Sequence, residues 1–189
     1  MTVDRHDKRN SDQIDVLRGQ WNRELPDLDT SPMAILGRIR RIAILVSPAI
    51  EGALAAHGLD RGEFDVLASL RRSGAPYRLA PTDLYKLLMV PSGSLTHRLD
   101  RLHSRGLVAR EPLPTDRRSK LVRLTEKGKQ TVEDAFRDDM AVEAEFLRSL
   151  DSTEHDALAD GLRALLRLVE DSLAIPEAHP PGPMSATPP

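Results

Sequence analysis

The chain has 189 residues, 40% of them hydrophobic and 30% charged, which suits one domain with a sizeable core and polar appendages. It contains no cysteine, which excludes disulfides, thiolate nucleophiles and cysteine-ligated metal. No apolar run is long enough to span a bilayer and Met1–Asn10 lacks a signal peptide's apolar centre, so no membrane partner and a cytoplasmic location are expected, the latter by elimination.

In chain order, residues 1–10 are polar and are expected to be disordered. Ile14, Leu17, Trp21 and Leu25, spaced three, four and four apart, predict a first helix over Ser11–Glu24. A break at Pro26–Asp29 precedes a second helix opened by Thr30-Ser31-Pro32 and closed at His57-Gly58. Its stripe of Ile35, Ile39, Ile42, Val46, Ile50 and Leu54 keeps phase across Pro48, which predicts one bent helix and not two. Asp60-Arg61-Gly62-Glu63 has the form of a capping box and opens a helix with Phe64, Leu67, Ala68 and Leu70 inside. Leu79–Asp83 begins a short helix through Leu88, and a turn at Val90–Gly93 leads into a helix over Ser94–Ser104, with Leu95, Leu99 and Leu102 as its buried face. The period then changes to that of strands. Leu107–Glu111 and Lys120–Leu124 are expected to pair as a hairpin around a turn at Pro112–Asp116. Thr125–Gly128 caps a long helix carrying Val132, Phe136, Met140, Phe146 and Leu150. A last helix carries Leu158, Leu162, Leu165, Val169 and Leu173, and six prolines after residue 175 mark a disordered tail.

The net charge of −2 conceals an uneven distribution. Between Ser92 and Arg123 lie eight basic residues (Arg98, Arg101, Arg105, Arg110, Arg117, Arg118, Lys120, Arg123) against three acidic ones (Asp100, Glu111, Asp116). A basic island on an acidic body is the electrostatic footprint of a nucleic-acid reader. Helix, tight turn, helix and hairpin form the layout of a winged helix-turn-helix, whose second helix enters the major groove. The fold class is therefore mainly α with a small β-hairpin wing. On the second helix of the pair, Ser92, Ser94, Thr96, His97 and Arg101 occupy the polar side and N-terminal end, and Arg98 lies beside them. On the hairpin turn, Arg117 and Arg118 follow Asp116, and an arginine on such a tip suits the negative potential of the minor groove.

The segments SGSLTHRLDRL (residues 92–102), RGLVARE (105–111) and DRRSKLVRLTEKG (116–128) closely resemble the recognition helix, first wing strand and wing of the MarR family of bacterial transcription regulators. The likeness extends back to FDVLASL, and the whole stretch, residues 64–128, covers about a third of the chain. It implies a homodimer on double-stranded DNA, a pseudo-palindromic operator and, usually, derepression by a small molecule. The expected organisation is N-terminal helices over 11–58 serving dimerisation and an effector pocket, a winged helix-turn-helix over 59–125, and C-terminal dimerisation helices over 126–175. The terminal helices also offer more apolar surface than one small lobe covers, which agrees with a dimer; the alternative is closure within one chain as a monomeric bundle.

The additional first helix with Trp21, together with DLDTSPMAILGRIRRIA, is similar to the urate-responsive branch of that family. By that resemblance the effector site falls on Trp21, Asp65 (in EFDVL), Arg98 (in THRLD) and Arg110 (in GLVARE). A flat anionic heterocycle suits an indole to stack on and two guanidiniums to pair with. Related regulators keep similar residues yet respond to small carboxylates or phenolic acids, so the anion's identity stays open at this stage.

An enzyme is not expected. The six histidines show no metal-ligand spacing, Ser92-Gly93-Ser94 is no nucleophile elbow, and no glycine-rich phosphate loop follows a strand, so neither metal nor cofactor is expected. A remaining rival is a helical interaction protein using its proline-rich tail as a polyproline ligand.

Overall fold

The computed structural model describes residues 11–88, 95–113 and 116–175, with side chains for all of these except 113 and 116–120. The expected disordered decapeptide, the turn holding Ser92 and Ser94, and the proline-rich tail lie outside the described residues. The chain divides into two compact units, Met1–Ala49 and Ile50–Pro189.

In the first unit, helix α1 (Gln13–Glu24) starts at a capping box in which Asp12 accepts from Ile14 and Asp15 backbone N–H groups and Asp15 returns the favour to Asp12. Ile14 is the buried residue of α1 and sits over Gly37, where a Cβ would lie 3.2 Å from Ile14 Cγ2. Arg38 ties the start of α1 down, with Nε 2.7 Å from Asp12 Oδ2 and Nη2 2.7 Å from Asp15 Oδ2. The connection is held by the buried Thr30, which donates to Asn22 Oδ1 at 2.6 Å and whose carbonyl accepts from Arg18 Nε at 3.1 Å.

The expected helix from Thr30 instead begins with a π-helical turn over Met33–Gly37, followed by helix α2 (Arg38–Ala56). At the end of this turn Arg38 Nη1 donates to the Ala34 carbonyl at 2.7 Å, and the Arg38 backbone N–H bonds Ile35 O. As expected, α2 runs unbroken through Pro48.

The second unit holds the core. The end of α2 contributes Ile50 and Leu54, and the chain then turns at Gly58, whose φ of +70° suits glycine; Leu59 N–H returns to Leu54 O at 3.1 Å. Helix α3 (Arg61–Arg72) opens at the expected capping box, Asp60 Oδ1 accepting from Glu63 N–H at 2.8 Å and Glu63 Oε2 accepting from Asp60 N–H at 3.1 Å. It buries Phe64, Val66, Leu67 and Leu70; Val66 takes the inward place expected for Ala68, which is only half-buried. Helices α4 (Pro81–Leu87) and α5 (Leu95–Ser104) follow.

The wing differs from the expected two-stranded hairpin. Strand β1 (Arg78–Leu79) joins β2 (Val108–Leu113) and β3 (Asp116–Leu124) in an antiparallel sheet ordered β1-β3-β2. Leu79, expected to start a helix, pairs with Val122, and Arg78 pairs with Arg123. Tyr77 makes this possible: its φ of +58° redirects the chain after α3, and its carbonyl accepts from Leu124 N–H at 2.9 Å. Two residues are too few to carry an alternating pattern. The hairpin strands also run further than expected, taking Pro112, Leu113 and Asp116 out of the turn, with a register shift between Pro112 and Leu113. Helix α6 (Glu126–Leu147) starts at the Thr125 cap, and α7 (Ser152–Ser172) starts at a capping box of Asp151 and Glu154 and buries none of its residues.

Candidate nucleic-acid interface

Helix α5 is fixed by its leucines: Leu95, Leu99 and Leu102 are buried at the expected spacing. Thr96 and His97 are exposed, as a base-reading edge requires. Ser92 and Ser94 lie outside the described residues. Arg117 and Arg118 lie on β3, where their side chains are not among those described.

Arg101, Arg105 and Arg110 are engaged within the protein. Arg101 turns to the first turn of α3, with Nη1 3.1 Å from Asp60 Oδ2 and Nη2 3.0 Å from Glu63 Oε1. Arg105 Nη1 lies 3.3 Å from Glu63 Oε2. Arg110, on β2, is paired with Asp100 of α5 and so links wing to helix. The sequence expectation of Arg101 as a DNA contact therefore meets a side chain already paired within the protein.

Arg98 is half-buried, and its guanidinium lies flat on Gly62: a Cβ there would come within 2.5 Å of Nη2. Its Nη1 is buried without a hydrogen-bond partner among the described residues. Asp65, one turn further along α3, is half-buried too. Burial raises its carboxyl above the ordinary value of 3.8, and the charges of Arg61, Arg98 and Arg72 counter part of that rise. Asp65 also lines a cavity of about 300 Å³ between α3 and α6, with Phe64, Ala68, Val132 and Phe136 as its apolar wall. Phe64 and Phe136 are stacked there, ring centroids 6.4 Å apart.

Of the four residues expected at the effector site, Asp65 and Arg98 lie in the same unit, Arg98 being one of three arginines whose charge acts on the Asp65 carboxyl, while Arg110 is paired with Asp100. Trp21 belongs to the other unit, where it is exposed and lines a shallow apolar cleft with Leu25, Leu28 and Met33. Asp60, Glu63 and Gly62 were legible as the start of a helix, but nothing in their spacing pointed to the arginines they contact.

Comparison with known proteins agrees with this layout. Residues 57–119 match the model of the MarR family. The chain is 37% identical over 154 residues to the HTH-type transcriptional regulator PecS of Dickeya dadantii, covering 82% of this chain and 90% of that one. It is 44% identical over 66 residues to the multiple antibiotic resistance protein MarR of Escherichia coli, covering 35% of this chain and 44% of the relative. Among solved structures, a cysteine-to-serine mutant of E. coli MarR complexed with operator DNA matches with a TM-score of 0.59 and 28% identity, over 82% of this chain and 99% of that one. A MarR family transcriptional regulator from Streptomyces coelicolor matches with a TM-score of 0.62 and 28% identity, over 76% and 98%. By its likeness to PecS along most of both chains, and by the family match across α3, α5 and the wing, this chain belongs to the MarR family of winged helix-turn-helix transcriptional regulators.

Proposed function

We propose that the protein is a homodimeric repressor that binds a pseudo-palindromic operator through α5 and the wing and releases it when a small anion, urate being the first choice, occupies a site around Arg98. The observation that carries the DNA-binding part is α5 itself, anchored by three buried leucines with Thr96 and His97 left exposed. Ser92, Ser94, Thr96 and His97 are assigned to the major groove, and Arg117 and Arg118 to the wing's contact with the neighbouring groove or backbone. The relative complexed with operator DNA supports the same use of this fold.

The effector part rests on Arg98. A buried guanidinium nitrogen without a partner among the described residues, whose charge acts on a carboxyl that burial holds toward its neutral form, is a donor suited to an anionic oxygen. An arriving anion repels Asp65 and recruits Arg98; because Arg98 is part of the recognition helix, the helix then shifts on the DNA. Trp21 is assigned to stack on the anion and Arg110 to supply a second donor, which requires it to leave Asp100.

The test is retardation of DNA from upstream of the protein's own gene at several salt concentrations, with and without urate. Binding should weaken steeply with salt, and micromolar to millimolar urate should release the DNA while changing the emission of Trp21, the chain's single tryptophan. No retardation at low salt overturns the whole proposal. Retardation insensitive to urate, with unchanged fluorescence, removes urate and leaves the small carboxylates and phenolic acids to be titrated in turn.

A further inference from the structure

The arginines of the recognition helix do not project freely toward a duplex. Arg98 and Arg101 share one stripe of α5, and Arg105, just past its end, continues the spacing of three and four. That stripe runs along the first turns of α3: Arg98 lies on Gly62, Arg101 reaches Asp60 and Glu63, and Arg105 reaches Glu63. Glu63 is the common point. Its side chain is fully buried, yet Oε1 lies 3.0 Å from Arg101 and Oε2 lies 3.3 Å from Arg105 and accepts the Asp60 N–H at 3.1 Å. The first turn of α3 needs only a cap, which an uncharged glutamine supplies as well. A buried carboxylate in contact with two cations is more than capping requires.

We infer that Glu63 is the positioning residue of the recognition helix: it fixes the rotation of α5 about its own axis and holds Arg101 and Arg105 against the protein and off the phosphates. This inference rests on the DNA-binding reading above and adds the source of its specificity. With two flexible cations withdrawn from the backbone contact, discrimination falls to Thr96 and His97 at base edges, because phosphate contacts carry affinity without sequence information. Releasing those cations gives a protein that grips any duplex.

The experiment measures affinity for an operator fragment and for an unrelated duplex of equal length across a series of salt concentrations, for the wild type, Glu63→Gln and Arg101→Ala. Glu63→Gln keeps the cap and is expected to lower the ratio of operator to unrelated affinity by about tenfold or more, while the salt slope on unrelated DNA steepens by about one to two as Arg101 and Arg105 find phosphates. Arg101→Ala is expected to weaken operator binding with the salt slope unchanged. A slope that falls by about one in Arg101→Ala marks that side chain as an ordinary phosphate contact and overturns the inference, as does an unaltered affinity ratio in Glu63→Gln. Arg101 is exposed at the surface, so its variant decides the matter even where Glu63→Gln is too unstable to assay. Failure of the wild type to bind either duplex removes the DNA-binding reading itself, a result distinct from a wild type that binds and variants that behave like it.

Discussion

Gly128 shows how a single missing methyl group joins the wing to the long helix behind it. A Cβ at this position would collide with the Leu107 carbonyl oxygen and lie 2.9 Å from its carbon, and backbone atoms have no rotamer to escape into. Beside it, Thr125 Oγ1 accepts the Gly128 N–H at 3.0 Å and offers its hydroxyl proton to Gly106 O at 2.8 Å or Leu107 O at 3.0 Å. The two residues therefore fasten the N-terminus of α6 to the start of β2. Thr125→Ala is expected to cost about 1–2 kcal/mol through the lost cap. Gly128→Ala is expected to cost more, about 2–3 kcal/mol, despite alanine's higher helix propensity, because overpacking against backbone outweighs that gain. Urea denaturation checks both, and a Gly128→Ala protein as stable as the wild type excludes the close approach. The cap was legible in the Thr125–Gly128 motif. The collision was not, because it depends on a strand 20 residues away.

The same division between local and long-range information runs through the elements. Helices whose stripe exceeds two turns, capped by Asp60 or Thr125, were readable because caps and period are written in adjacent residues. Strand β1 was not, since its two residues become a strand only by pairing with β3. The interior of α6 hides a further case: Asp139 lies on its buried face, with Oδ1 lacking a partner among the described residues and Arg61 3.9 Å from Oδ2. Burial lifts this carboxyl above its ordinary value of 3.8, Arg61 offsetting part of the rise. Between 3.8 and the raised folded value the native state binds more protons than the unfolded chain, so this group's contribution to stability falls as pH rises through that window and is at its least favourable at neutral pH. Asp65 acts in the same direction. Glu133, held below its usual value by the Arg71 hydrogen bond, acts in the opposite one: its contribution is present above 4.5 and is lost as pH falls through its lowered value. Asp139→Asn should therefore raise the melting temperature at pH 7 by a few degrees and remove this carboxyl's share of the change as pH rises from 3.8 to neutral. Thermal melts across that range measure it, and a variant that melts lower at pH 7 would mean the carboxylate is doing structural work through a partner.

At the scale of the whole molecule, the outstanding fact is apolar surface without an internal partner. Among the described residues helix α7 has none buried, and Leu158 and Leu162 are each 52% exposed, with Leu166, Val169 and Leu173 exposed beyond them. Phe146 and Leu147 at the end of α6, and Ile35, Ile39 and Ile42 in the first unit, are exposed as well. On the dimeric reading proposed above, a second copy covers this stripe, and the same pairing accounts for the use of the recognition helix. One α5 reads only a few base pairs, whereas two related by a two-fold axis read half-sites one helical turn apart, about 10 bp or a multiple of it. Dimerisation and operator recognition are then one property. Replacing Leu158 and Leu162 by glutamate removes apolar contact and places like charges across the two-fold axis. Sedimentation should show the wild type as a dimer and the double variant as a monomer, and the footprint on the operator should be lost in parallel. A double variant that stays dimeric places the interface elsewhere. One that is monomeric yet still protects both half-sites breaks the link between pairing and reading.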